Sequence, residues 1–240
     1  MISISHLSKS YNKGSVKAVD DLSLEIHSSE IFGFLGPNGA GKTTTIKMLV
    51  GLLNPDAGQI LLDGMDIQKD PIAAKMHIGY VPDNPDMFER LTGTEYLNFM
   101  ADVYGVPTAE RKERTKRFLT LFDMADAAGD LIKSYSHGMR QKIVLIGTLL
   151  HDPSLWILDE PLVGLDPKSA HQLKELMRTH CDEGKTVFFS THVLEVAEKL
   201  CDRIGIINRG RLIAIGTMDE LRQGDRAESL ESIFLELTEE

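Results

Sequence analysis

Eight residues constrain this chain more than any others: Gly36-Pro37-Asn38-Gly39-Ala40-Gly41-Lys42-Thr43. They satisfy the pattern G-x-x-x-x-G-K-[ST], directly after the apolar run Ile31-Phe32-Gly33-Phe34-Leu35 and directly before a helical stretch. Glycines let the main chain turn tightly enough for successive N–H groups to converge on phosphate oxygens. The N-terminus of the following helix adds its partial positive charge. In such a turn Lys42 reaches the β- and γ-phosphates and the Thr43 hydroxyl is a ligand for Mg²⁺. A strand buried on both faces, a phosphate loop and a helix are the opening of an α/β fold.

The rest of the chain agrees with that beginning. Ile2/Ile4 and Leu22/Leu24/Ile26 alternate, which predicts short strands. The helix after the loop is expected from about Lys42 to Leu53, stopped by Asn54-Pro55 and Gly58, with further strands at Ile60–Leu62 and Ile78–Val81. From about Asp83 to Asp152 the period changes to that of helices: Tyr96, Leu97, Met100, Val103 and Tyr104, then Phe118, Leu119 and Phe122, then Ile143, Ile146, Leu149 and Leu150. The Arg/Lys run that follows Thr108 reads as a solvated helix face. The strand-and-helix pattern resumes at Leu155-Trp156-Ile157-Leu158. Helices over about Ser169–Cys181 and Val193–Leu200 flank a strand at Thr186–Phe189, and a hairpin turns at Asn208-Arg209-Gly210. Leu230, Ile233, Phe234 and Leu237 stripe one face of a closing helix.

Composition narrows the partners. The 240 residues carry 26 Lys+Arg against 36 Asp+Glu, a net charge of −10, and such a surface repels phosphate backbones. Nucleic acid is therefore not expected as a partner, although a local phosphate cradle needs no net positive charge. The longest nearly apolar run, Ile143–Leu150, is far short of the roughly 20 residues a membrane span requires. With no basic, apolar N-terminal leader and only two cysteines, Cys181 and Cys201, the chain reads as cytosolic and free of structural metal.

Two further groups carry chemistry. Asp159-Glu160 ends the Leu155–Leu158 strand, and ligands of open α/β sheets bind at carboxyl ends of strands. There Asp159 can hold Mg²⁺ through water and Glu160 can polarise an attacking water. Ser190-Thr191-His192 follows Thr186–Phe189 at the equivalent end, which makes His192 a candidate sensor of the γ-phosphate that orients water and Glu160.

Taken in order, Gly36–Thr43, Ser134-Tyr135-Ser136-His137-Gly138-Met139-Arg140-Gln141, Leu155–Glu160, Pro161-Leu162-Val163-Gly164-Leu165-Asp166 and Thr191-His192 resemble the motifs of ABC transporter ATP-binding subunits. The resemblance covers practically the whole chain from Tyr11 onward. It implies a P-loop NTPase: a RecA-like core with an antiparallel β subdomain plus a helical insertion, as one ATP-binding domain over residues 1–240. The core would take residues 1–82 and 153–217, the helical subdomain 83–152 and a C-terminal helical tail 218–240. ATP and Mg²⁺ would be bound by Tyr11, stacked on adenine, and by Gly36 to Thr44. Thr43, Asp83 and Asp159 would serve the metal, and Glu160, His192 and Lys42 the hydrolysis. The resemblance further implies that Ser136 and Gly138 of one subunit complete the phosphate site of a second ATP-binding subunit, identical or not. Asp166 would couple the two sites.

Three departures stand out against that family. Asp83 replaces a usual glutamine, shorter and charged, so it would meet Mg²⁺ through water. Met139 takes the place of a glutamine in the signature, and Leu162-Val163 replace two hydroxyl residues before Gly164. The acid at 83, the Tyr-Ser-x-Gly-Met-Arg-Gln-Lys run and the Ser229–Phe234 ending are similar to an exporter-like branch whose permease is a separate polypeptide. The chain is thus expected to power such a permease from the inner face of the cell membrane, docked near Asp83 and over Met87-Phe88 through Tyr96. The alternatives are a cassette acting in DNA repair or translation with no membrane partner, and a non-catalytic nucleotide sensor. The first usually brings long coiled coils or two copies, and this sequence sustains no heptads. The second usually loses the base or the sensor, and Glu160 and His192 are both present.

Overall fold

The N-terminal alternation folds into two long strands, β1 (Ile2–Tyr11) and β2 (Val16–Ile26), paired antiparallel. The sequence suggests shorter pieces because the register shifts between Ile4 and Leu7 and again between Leu7 and Lys9. His6 (φ 51°) and Asp21 (φ 56°) adopt left-handed backbone there. Such bulges reset the two-residue period without ending a strand. The computed structural model describes residues 1–84, 88–222 and 229–238, apart from the Lys13 side chain.

Next come β3 (Ile31–Leu35), wholly buried, and α1 (Lys42–Leu49). Helix α1 stops before the expected Leu53 because Gly51 turns left-handed (φ 65°). The N–H groups of Leu52 and Leu53 then fold back onto Lys47 O at 2.9 and 3.0 Å, a glycine-based C-cap. Strands β4 (Ala57–Leu62) and β5 (Met65–Asp66), helix α2 (Pro71–Met76) and strand β6 (Ile78–Val81) follow.

The helical stretch contains α3 (Gly93–Val103), α4 (Thr108–Leu121) and α5 (His137–Leu149). Thr92 starts α3 with a reciprocal capping box to Glu95, and Ser136 starts α5 by accepting the Met139 N–H at 3.3 Å. The remaining elements are β7 (Leu155–Asp159), α6 (Pro167–Asp182), β8 (Thr186–Thr191), α7 (Leu194–Leu200), β9 (Arg203–Asn208), β10 (Arg211–Gly216), α8 (Met218–Leu221) and α9 (Leu230–Thr238).

Two sheets result among the described residues. Strands β2-β1-β4-β5 form an antiparallel sheet, and β10-β9-β3-β8-β7-β6 form a second sheet that is parallel except at its β10 edge. One apolar core, with Phe32, Phe34, Ile157 and Phe188, fills the space between the antiparallel sheet, α1 and the parallel sheet. A second, with Trp156, Phe189, Phe122 and Ile146, joins the parallel sheet to the helical stretch. Trp156 Nε1 donates to Thr148 Oγ1 at 3.1 Å inside that second core, so the indole is buried without an orphaned donor. A third core packs α9 and α7 against β9. In this arrangement the ends of β3, β7 and β8 lie side by side, which places three separate sequence motifs at one edge.

Candidate active site

The phosphate loop is held before any ligand arrives. Gly41, the N-cap of α1, has φ 110°, and a Cβ on it would lie 2.3 Å from Ala18 O. Only glycine tolerates both that conformation and that approach. The Ala40 N–H donates to Pro37 O at 3.1 Å, and the Gly210 N–H donates to Ala40 O at 2.9 Å, tying the loop to the β9–β10 turn. Lys42 folds back over the loop and donates from Nζ to Gly36 O at 2.6 Å and Pro37 O at 3.2 Å. Burial pushes the Lys42 pKa down, and the negative charges of Glu160 and Asp159 work against that shift. A buried ammonium held by two carbonyls is ready to exchange them for phosphate oxygens.

Register decides the other wall. Asp159 of β7 pairs with Ser190 of β8, and Leu35 of β3 pairs with Thr191. Ser190 Oγ donates to Asp159 Oδ1 at 2.6 Å and accepts the Glu160 N–H at 3.1 Å, so one hydroxyl fixes both acids. Glu160 leaves the strand in left-handed backbone (φ 49°), a conformation costing about 1–3 kcal/mol. That turn brings its Oε2 to 2.9 Å from His192 Nδ1.

Asp159 is 2% exposed, and among the described residues its Oδ2 finds no hydrogen-bond partner. Burial raises its pKa, against the Ser190 hydrogen bond and the nearby Thr43 hydroxyl, with the charges of Asp83 and Glu160 adding to the rise. The neighbouring Tyr80 phenol is pushed up to about 12 by burial, then by Asp159 and Asp83. An orphaned buried carboxylate oxygen beside a hydroxyl and a second carboxylate is an oxygen-only donor set, which suits a hard divalent cation such as Mg²⁺.

These walls enclose a cleft of about 220 Å³ lined by Ala18, Asn38, Gly39, Ala40, Gly41, Lys42, Thr43, Thr44, Asp83, Asp159 and Glu160. Gly36 and Pro37 lie behind it as acceptors of Lys42, and His192 meets it through Glu160. Tyr11 does not line it; the ring stands 40% exposed at the end of β1. Ser136, Gly138 and Asp166 do not line it either. Ser136 is exposed at the start of α5, and Asp166 caps α6 through the Ser169 N–H at 2.9 Å. Ala18, whose carbonyl walls the loop, belongs to none of the motifs that the residue pattern singles out for chemistry, and Ser190, whose hydroxyl grips Asp159, stands near His192 there without a role of its own. A hydroxyl two residues before His192 on a strand next to β7 was the available signal. The expected docking stretch is also divided: Met87 lies outside the described residues, Phe88 is exposed, and Tyr96 is core against Gly147.

A phosphate loop between a parallel sheet and α1, an acid pair at the end of β7 and a helical insertion define a P-loop NTPase of the ATP-binding cassette type. A family model described as ABC transporter matches residues 19–163. The linearmycin resistance ATP-binding protein LnrL of Bacillus subtilis (strain 168) is 40% identical over 221 residues, covering 92% of this chain and 70% of LnrL. The ABC transporter ATP-binding protein NatA of the same organism is 37% identical over 238 residues, covering 98% of this chain and 97% of NatA. A solved structure of the ATP-binding subunit of an ABC transporter superposes with a TM-score of 0.94 at 34% identity, over 99% of both chains. The chain belongs to the ABC transporter family. It is an ATP-binding subunit of an ABC transporter and an ATPase whose hydrolysis drives transport.

Proposed function

We propose that two copies of this chain, or this chain and a similar one, close head to tail over two ATP–Mg²⁺ molecules and hydrolyse them to move a separate export permease at the inner face of the cell membrane. Export is supported by LnrL, a resistance protein by name. The observation that carries the two-subunit reading is the separation within one chain. Glu160 and Lys42 line the cleft, while the exposed Ser136 at the N-terminus of α5 stands outside it and is free to cap a phosphate elsewhere.

Each residue then has a physical task. Main-chain N–H groups of Gly39 to Thr44 surround the β- and γ-phosphates, and Lys42 trades its carbonyl partners for their oxygens. Thr43, Asp159 and, through water, Asp83 hold Mg²⁺, which when bound neutralises charge on the phosphates. Glu160, oriented by His192, accepts a proton from the attacking water, and Ser136 and Gly138 of the other subunit face the γ-phosphate. Tyr11 supplies a stacking face for adenine. The chain acts as one ATP-binding domain in which residues 1–82 and 153–217 form the core, 83–152 the helical subdomain and 218–240 the tail.

Docking to the permease is supported by exposed apolar side chains. Leu52 lines a small cleft with Tyr80 and Tyr104, and Ile72, Met76, Phe88, Phe99 and Val103 also stand in solvent. Phe88 and Phe99 meet edge to face at 5.3 Å. Such a cluster on a cytosolic face fits burial by a partner. The test of the whole reading is Glu160→Gln in ATP and Mg²⁺: light scattering should report a stable dimer that neither the parent nor nucleotide-free protein forms. A variant that stays monomeric with ATP bound would overturn the two-subunit site.

A further inference from the structure

Ser190 stands where packing alone calls for an apolar side chain. It follows Phe188 on the face of β8 turned toward α1, as Asp159 follows Ile157 on β7, and it is wholly buried. A hydroxyl without exposure is costly unless it is bonded. Its bonds go to the two acids: Oγ donates to Asp159 Oδ1 at 2.6 Å and accepts the Glu160 N–H at 3.1 Å. Nearby hydroxyls are engaged with their own turns. Thr191 Oγ1 accepts the Val193 N–H at 3.1 Å, and Thr45 Oγ1 donates to Gly41 O at 3.0 Å.

The two oxygens of Asp159 are therefore unequal. Oδ1 is committed to the hydroxyl, while Oδ2 is buried and, among the described residues, has no hydrogen-bond partner. Turning the carboxylate to present both oxygens would break the 2.6 Å bond and leave the hydrogen of a wholly buried hydroxyl without an acceptor. One oxygen, not two, is thus left for a cation or its water. Mg²⁺ is small, keeps several waters and demands octahedral geometry, which single oxygens satisfy. Ca²⁺ is larger, has a more flexible shell and readily takes both oxygens of one carboxylate.

We propose that Ser190 is a positioning residue that sets the cation preference of the site: by holding Asp159 Oδ1 it leaves a single carboxylate oxygen available, which favours Mg²⁺ over Ca²⁺. Ser190 does not itself line the cleft and acts through Asp159. This inference rests on the reading above in which Asp159 holds Mg²⁺.

The experiment uses the full chain and calorimetric binding of a non-hydrolysable ATP analogue with Mg²⁺ or with Ca²⁺, so that no turnover enters the readout. In Ser190→Ala the ratio of affinities, Mg²⁺ complex over Ca²⁺ complex, should fall at least about fivefold, while affinity in chelator stays within about twofold of the parent. Ser190→Thr keeps the hydroxyl and should bind as the parent does. Added to Asp159→Asn, Ser190→Ala should change the ratio no further, because both act on one carboxylate. If Ser190→Ala does not fold, Ser190→Cys, whose thiol is a weak donor, carries the same comparison. An unchanged ratio in the alanine variant, a threonine variant that binds like it, or a second drop in the double variant would overturn the proposal. Failure of the underlying reading looks different: Asp159→Asn alone, with Ser190 intact, would leave the ratio where it stands in the parent.

Discussion

Glu160 and His192 leave the ends of neighbouring strands and meet at one oxygen: Oε2 lies 2.9 Å from His192 Nδ1 and accepts the His192 N–H at 3.4 Å. A general base is effective only when its lone pair is aimed, and here both the ring and the main chain of residue 192 aim it. His192→Ala should lower kcat for phosphate release about 10²-fold while KM for ATP stays within about threefold. A variant with wild-type kcat would remove His192 from the hydrolytic step.

Among the described residues Asp159 Oδ2 is buried without a hydrogen-bond partner, and a divalent cation would satisfy it. Asp159→Asn should raise the Mg²⁺ concentration for half-maximal hydrolysis at least about tenfold. Chelation of Mg²⁺ should stop the parent altogether. Nucleotide affinity measured in chelator should hardly differ between the two proteins. Equal Mg²⁺ dependence in parent and variant would place the cation elsewhere.

Gly41 and Gly39 separate two reasons for glycine. Gly41 combines φ 110° with an approach of 2.3 Å from a built Cβ to the Ala18 carbonyl, whereas Gly39 at φ 80° has open space around it. Gly41→Ala should cost about 3 kcal/mol of unfolding free energy, from backbone strain and the clash together. Gly39→Ala should cost about 1 kcal/mol, from strain alone. Urea unfolding of both variants decides whether the close approach is real.

Half-buried His151 and buried His180 predict a stability slope with pH. His151 lies flat on Tyr104 at 3.6 Å, and His180 leans on Trp156 at 5.6 Å. Burial pulls both pKa values down from 6.5 to about 4. Between those values the unfolded chain takes up protons that the folded chain refuses. This contribution is therefore present in full above about pH 6.5 and is lost as pH falls toward about 4. The urea midpoint of the parent should drop more between about pH 7 and pH 5 than that of His151→Gln, which removes one of the two groups. Parallel drops would mean that His151 is protonated in the folded chain.

Some of this was legible from residue order because it depends on neighbours in the chain. The phosphate loop lies within eight consecutive residues, so its strand, turn and helix could be read together. The acids at the end of an apolar strand were equally local. The caps at Ser136 and Asp166 are also local, each needing only the following turn, but the residue pattern starts the helix after Asp166 at about Ser169 and does not show that residue as a cap. Strand lengths were not, because bulges at His6 and Asp21 break the two-residue alternation while the hydrogen-bonded pairing continues.

Chain order alone determined the kinds of chemical group this protein carries and the turns that present them, because adjacent residues share a turn whatever surrounds them. Tertiary structure decided which groups meet. Ser190 gripping Asp159, His192 reaching Glu160, Lys142 holding Asp166 and Ser136 standing apart from its own cleft all join residues 24 or more apart, or keep them apart. Those outcomes follow from strand register and from how side chains fill the cores beneath, and a pattern of apolar spacing carries neither.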